Sequence, residues 1–312
     1  MSEGAMRFDG KVAIVTGAGR GLGRSYAQAF AARGARVVVN DYGVDVEGRG
    51  SDQGPAAHVA EEIRKAGGEA VSCFASVSAQ GGAEAIVDAA MDAFGRVDIL
   101  VNNAGILREE EFPNFSDDIF EAHLATHVLG SWKVSHRVWP VMERQGGGRI
   151  VNIVSTAAFY GQAGNAAYST CKAGVTGLTR SLALAGRAVG IKANGLAPGG
   201  LTRMAERYAG GMSAAEREEF SATLNHKDPT AMLLYLAHDR CASSGAFYSA
   251  MAGRVARHLA IESVGLCVQP GSLTPELIAG KAGVIDAMGE WLAPESVEDA
   301  ARILEEMLSG RR

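Results

Sequence analysis

One junction near the N-terminus restricts the fold more than any other stretch. Lys11 to Thr16, KVAIVT, is a short apolar run that passes into Gly17-Ala18-Gly19-Arg20-Gly21-Leu22-Gly23 and then into a helical stretch, Arg24 to Ala32. Strand, glycine turn and helix in that order make a cradle for a pyrophosphate, because glycines let the backbone come close and amides at the helix start face the anion. A plain glycine-rich turn is the competing reading, and it weakens where the flanking elements are the required ones.

The grammar then repeats. Gly34 stops the first helix and Arg36 to Val39 forms a second strand ending in Asn40-Asp41; helix Ala56 to Ala66, Gly67-Gly68 and strand Ala70 to Phe74 follow. Helix Gly82 to Phe94, Gly95 and strand Val97 to Val101 repeat it, as do strands Ile150 to Val154, Ile191 to Ala197 and, near the end, Ala246 to Met251. Helix, glycine stop and short apolar run are the marks of right-handed crossovers in a parallel sheet. The expected fold is therefore α/β: a Rossmann-type, doubly wound, mainly parallel seven-stranded sheet with helices on both faces. Residues 1–312 read as one dinucleotide-binding catalytic domain. It carries a polar substrate lid at about 200–228 and a C-terminal extension at about 254–312. Between Ser116 and Arg144 the pattern predicts a long amphipathic helix that Pro140 kinks or divides. Tyr42 to Pro55, rich in Gly and Asp, reads as a solvated loop.

Composition narrows the partners. A net charge of −5 without a Lys/Arg cluster argues against nucleic acid or an anionic membrane, and no apolar run reaches the length of a membrane span. The N-terminal MSEGAMRFDGK lacks the apolar core of a signal peptide, so a cytoplasmic protein is expected. Cys73, Cys171, Cys241 and Cys267 form no metal-ligand spacing and read as small core residues; no metal site is expected.

Chemistry concentrates in Ile150 to Lys172, IVNIVSTAAFYGQAGNAAYSTCK. Ser155 ends an apolar strand, and after a glycine-containing turn Tyr168 and Lys172 lie four residues apart on one face of a helix. A free phenol, with a pKa of about 10, is a poor base near neutrality, and a fixed ammonium beside it favours the phenolate. Ser155 would hold the same substrate oxygen. The bland alternative is a helix-surface pair and a strand-end cap. His127, on a mostly apolar helix face, reads either as a satisfied core residue or as a member of the site.

The cofactor contacts follow from the strand ends. Gly17, Arg20, Gly21, Leu22 and Gly23 would take the pyrophosphate. Asp41 lies where a carboxylate accepts from the adenosine ribose hydroxyls and repels a 2′-phosphate. Arg20 pulls toward NADP, and Asp41 carries more weight, so NAD is expected. Small residues at Asn103, Ala104 and Gly105 suit a cofactor ring, and Thr202 could bind its carboxamide or phosphate.

With TGAGRGLG at Thr16, NNAG at Asn102, Ser155, Tyr168-x-x-x-Lys172 and PG at Pro198 in this order, the chain resembles the short-chain dehydrogenases/reductases over about Arg7 to Gly253. The resemblance implies Tyr168 as general acid/base, Ser155 on the substrate oxygen and Lys172 on the tyrosine and nicotinamide ribose. It further implies Asn103, Pro198 and Gly199 along the cofactor, and a homodimer or homotetramer. RFDGKVAIVTGAG, VVVNDYG, VNNAGILRE and SLTPELI are more closely similar to the (3R)-hydroxyacyl-CoA dehydrogenase units of the type 2 multifunctional enzymes of β-oxidation. That likeness implies a 3-hydroxyacyl-CoA substrate, with a steroid or other bulky secondary alcohol as the alternative. A non-catalytic NAD-binding protein is the alternative of another class. Two departures stand out: His127 replaces the family's relay asparagine, and Ser76, Val77 or backbone must serve the adenine where an aspartate is usual.

Overall fold

The computed structural model describes residues 4–200, 212–287 and 289–308. Its elements, in chain order, begin β1 (Val12–Thr16), α1 (Gly21–Ala31), β2 (Arg36–Asn40), α2 (Gly54–Lys65), β3 (Glu69–Cys73), α3 (Gly82–Phe94) and β4 (Ile99–Asn102). They continue α4 (Asp117–His123), α5 (Gly130–Arg144), β5 (Gly148–Ile153), α6 (Ala157–Tyr160), α7 (Ala166–Gly186), β6 (Ile191–Pro198), α8 (Ala214–Thr223), α9 (Lys227–Ala237), β7 (Phe247–Met251) and β8 (Arg254–His258). Contacts divide the chain into a large unit, Met1–Arg257, and a smaller one, His258–Arg312.

The sheet of the large unit runs β3-β2-β1-β4-β5-β6-β7-β8. From β3 to β7 every pairing is parallel, as the crossovers require. Strand order reverses direction between β1 and β4, which opens a crevice at the carboxyl ends of those strands, the place where such sheets bind ligands. The period-2 alternation of β1 explains the two layers. Ala13 and Val15 pack with Tyr26 and Phe30 of α1 on one face, whereas Val12 and Ile14 pack with Ile86 of α3 and Val134 of α5 on the other.

Among the described residues the sheet has eight strands and not seven. The eighth, RVARH, has no apolar run because it is a largely exposed edge whose arginines discourage further pairing. A two-residue turn, Ala252-Gly253, joins it to β7; both residues have positive φ, 50° and 73°. A turn that short reverses the chain, so β8 returns antiparallel.

Pro140 does not divide its helix: α5 continues through it. The proline is exposed, so the carbonyl it leaves without an amide partner can be hydrated. The irregularity lies earlier, in a π-helical stretch, Leu124–Leu129, that joins α4 to α5 and contains His127. Cys73, Cys171 and Cys241 are buried as expected, but Cys267 is exposed.

The smaller unit contains β9 (Glu262–Ser263), α10 (Pro275–Gly280), α11 (Ala282–Ile285), β10 (Trp291–Leu292) and α12 (Val297–Leu308), with β9 and β10 paired antiparallel.

Candidate active site

A cavity of about 610 Å³ occupies the crevice at the strand ends. Its walls bring together nearly every residue singled out from the sequence: Gly17, Arg20, Gly21, Leu22, Gly23, Asp41, Ser76, Val77, Asn103, Ala104, Gly105, His127, Ser155, Tyr168, Lys172, Pro198 and Gly199. Thr202 and the first part of the expected lid fall in 201–211, outside the described residues. Beyond that gap, Phe220 of α8 and Leu224 line the cavity, as do Ile106, Leu107 and Met251.

The glycine loop is shaped by close packing. Gly17 has φ +64°, and a Cβ there would stand 2.8 Å from Ala104 Cα; a Cβ on Gly19 would stand 2.8 Å from Asp41 Oδ2 and 2.7 Å from Pro55 Cβ. Asn103 braces the loop from below, donating through Nδ2 to the carbonyls of Thr16 at 2.9 Å and Gly17 at 3.0 Å. Its side chain thus supports the loop, and its presence in the cavity wall is compatible with a cofactor alongside. The first turn of α1 has no acidic residue, and Arg20 at the N-cap makes no side-chain cap. That leaves an electropositive helix end facing the cavity, which fits a pyrophosphate.

Asp41 receives the Gly19 amide on Oδ2 at 2.8 Å and the Gly43 amide on Oδ1 at 2.7 Å. The carboxylate is therefore fixed at the end of β2, with lone pairs remaining on each oxygen. Arg20 points into the 42–55 loop, donating to the Val44 carbonyl at 3.3 Å and standing 3.6 Å from Asp52. That loop is more than a solvated excursion: Val46 accepts the Leu107 amide at 2.8 Å, Glu47 accepts Arg108 Nε at 2.7 Å, and Tyr42, Val44, Val46 and Gly48 line the cavity.

The reactive end is built from buried polar side chains. Lys172 is buried and donates from Nζ to the Ile153 carbonyl at 2.7 Å. Desolvation lowers its pKa from 10.5 to about 8. The ammonium stands 5.6 Å from the centroid of the Tyr168 ring. Ser155 Oγ accepts the Ala157 amide at 3.2 Å, which orients the hydroxyl and leaves its proton for donation. Ser155 thus makes a local strand-end contact and also lines the cavity. Burial raises the Cys171 thiol to about 11, so it is not a ready nucleophile.

His127 is buried, and its Nε2 stands 2.9 Å from the Ile106 carbonyl. The Ile106 amide also lies 3.4 Å from Nε2, but a carbonyl only accepts and its contact is the shorter, which favours the proton on Nε2 and leaves Nδ1 an acceptor without a partner among the described residues. Desolvation, reinforced by Lys172, holds the imidazole neutral, well below its ordinary pKa. The structure also places residues that sequence reasoning passed over. Asn165, buried at the N-cap of α7, lines the cavity while its Nδ2 donates to Glu109 at 3.0 Å. Its only signal was its place one helical turn before Tyr168.

Comparison with known proteins agrees with this fold. The family model described as short chain dehydrogenase matches residues 11–210. The chain is 36% identical over 97% of its length to peroxisomal multifunctional enzyme type 2 of Mus musculus, covering 40% of that protein. The full-length peroxisomal multifunctional enzyme type 2 of Drosophila melanogaster superposes with a TM-score of 0.79 at 30% identity, over 98% of this chain and 50% of that one. A 7α-hydroxysteroid dehydrogenase complexed with NADH and 7-oxo glycochenodeoxycholic acid superposes with a TM-score of 0.69 at 31% identity, over 79% of this chain and 94% of that one. The chain thus spans about half the length, or less, of these mouse and fly multifunctional enzymes.

Proposed function

The chain belongs to the short-chain dehydrogenases, oxidoreductases that act on CH–OH groups, and from that premise we propose that it interconverts a secondary alcohol and a ketone with NAD. The observation that carries this reading is the convergence of Ser155, Tyr168 and Lys172 on the cavity that also holds the glycine loop. A non-catalytic NAD-binding protein would have no need of that convergence.

Gly17 to Gly23 and the start of α1 would hold the pyrophosphate, Asp41 the adenosine ribose, Ser76 and Val77 the adenine side, and Asn103 to Gly105, Pro198 and Gly199 the nicotinamide half. When bound, the nicotinamide supplies the hydride donor or acceptor. Tyr168 gives a proton to the substrate oxygen during reduction and takes it during oxidation. Ser155 donates a hydrogen bond to the same oxygen and fixes its place. Lys172, a buried cation beside the ring, stabilises the phenolate charge and binds the nicotinamide ribose. His127, neutral and with Nδ1 lacking a protein donor among the described residues, would accept from a water on a proton path to Lys172.

We favour NAD over NADP because a carboxylate at Asp41, held at the end of β2, would repel a 2′-phosphate, while Arg20 is turned toward Val44 and Asp52. For substrate, the likeness to the type 2 multifunctional enzymes places a 3-hydroxyacyl thioester first. The apolar wall of Ile106, Leu107, Phe220, Leu224 and Met251 also favours a second reading, a steroid-like alcohol. An NADH absorbance assay with 3-ketoacyl-CoA and ketosteroid panels decides between them; turnover of neither removes the catalytic reading.

We further propose a homodimer or homotetramer, to be measured by analytical ultracentrifugation. No helix among the described residues is long and apolar enough to cross a membrane. The cytoplasm is the proposed compartment; because the mouse and fly relatives are named as peroxisomal, cell fractionation is the test.

A further inference from the structure

Behind Tyr168 stands a second histidine that the proposed chemistry does not use. His123, the last residue of α4, is completely buried. Its Nδ1 lies 2.8 Å from the Ile119 carbonyl, so Nδ1 carries the proton and donates. Nε2 is then an acceptor, and it receives the Arg108 amide at 3.3 Å. Burial lowers the imidazole pKa, which matches this neutral tautomer.

His127, four residues on, stacks against it with centroids 5.7 Å apart and planes 20° from parallel, and donates to the Ile106 carbonyl. The two rings therefore grip Ile106 and Arg108 from the helix side. Between these, Leu107 turns its amide to Val46 in the 42–55 loop at 2.8 Å. Such alternation is that of an extended chain. Residues 103–111 belong to no strand or helix, so these borrowed partners replace the ladder that would otherwise fix the backbone. Ile106 and Leu107 are cavity wall. Both imidazoles also stand nearly edge-on to the Tyr168 ring, His127 at 5.3 Å and 86°, His123 at 6.4 Å and 79°.

We propose that His123 is a positioning residue for the oxidoreductase reaction: through the Arg108 amide it locks the Ile106–Arg108 wall against Tyr168, holding the substrate oxygen within reach of the phenol. This rests on the function proposed above. His123 itself touches neither substrate nor cofactor; it acts on the segment that does.

Two substitutions separate its roles. His123→Gln keeps an acceptor for the Arg108 amide and loses the ring, whereas His123→Phe keeps the ring and loses the acceptor. Kinetics with saturating NADH should show substrate KM raised about tenfold in His123→Phe, the scale of one lost hydrogen bond. KM should return to within about threefold of wild type in His123→Gln. NADH affinity should be unchanged in both, and hydrogen exchange across 106–111 should quicken only in His123→Phe. Wild-type KM and exchange in His123→Phe, or no rescue by His123→Gln, or a parallel loss of NADH affinity, would each overturn the proposal. Imidazole NMR of the wild-type protein requires no variant to fold: a neutral His123 protonated on Nδ1 is expected, and the opposite tautomer refutes the hydrogen-bond scheme. Absence of wild-type turnover on every substrate would sink the oxidoreductase reading, while exchange and NMR would still decide what His123 holds.

Discussion

The two ends of the cavity are built on different principles. At the nucleotide end, shape comes from backbone: Gly17 and Gly19 stand where side chains would collide, and Asp41 is tied down by two amides. At the reactive end it comes from buried titratable side chains, Lys172, His123 and His127, gathered around Tyr168. The first kind of site fails when volume is added. The second fails when a proton or a hydrogen bond is lost. Mutations should therefore divide into those that spoil cofactor affinity and those that spoil turnover.

The largest effect should be at the reactive end. Tyr168→Phe should lower kcat about a thousandfold, within the range of general acid–base catalysis, and leave NADH affinity as it was, read by fluorescence titration beside steady-state kinetics. Gly19→Val should do the reverse. It pushes on Asp41 and Pro55, so the NADH Kd should rise roughly tenfold to a hundredfold, the scale of overpacking, while the single-turnover rate at saturating NADH changes little. If either variant loses both properties together, the ends are not independent.

Much of this division was legible before any coordinates. Glycine spacing and short apolar runs reveal parallel strands and the loop between β1 and α1, since both depend on residue size and polarity. Tyr168 and Lys172 are legible by helical spacing. What escapes is whatever depends on partners distant in the chain. RVARH gives no signal as a strand because its pairing, at an exposed edge, uses backbone alone. That Arg20 also reaches Val44 and Asp52 of the 42–55 loop could not be read from its place in the glycine loop. His123 is silent in isolation, although its distance of four residues from His127 offered a clue. Pro140 misled because a proline on the solvent side of a helix costs less than the pattern implies.

A third prediction uses pH. Lys172 in the folded chain titrates near 8, below its ordinary 10.5, so between these values the unfolded chain binds the extra proton. Stability from this group therefore rises with pH across that window, and the burial penalty is greatest below it. Relative to Lys172→Met, wild-type stability in urea should improve as pH rises from 8 toward 10.5; a flat or falling difference would show that the ammonium is not desolvated. The smallest effect lies outside the cavity. Ala252 has φ +50° in the β7–β8 turn, and Ala252→Gly should add about 1 kcal/mol by relieving that strain, with no change in kinetics.

The central claim is a contact between one phenol and one substrate oxygen. A crystal structure of the ternary complex with NAD and an unreactive substrate analogue measures it directly. Tyr168 Oη and Ser155 Oγ should each lie within about 3.2 Å of the analogue's carbinol or carbonyl oxygen. An analogue bound in the cavity with that oxygen turned away from both hydroxyls would contradict the account.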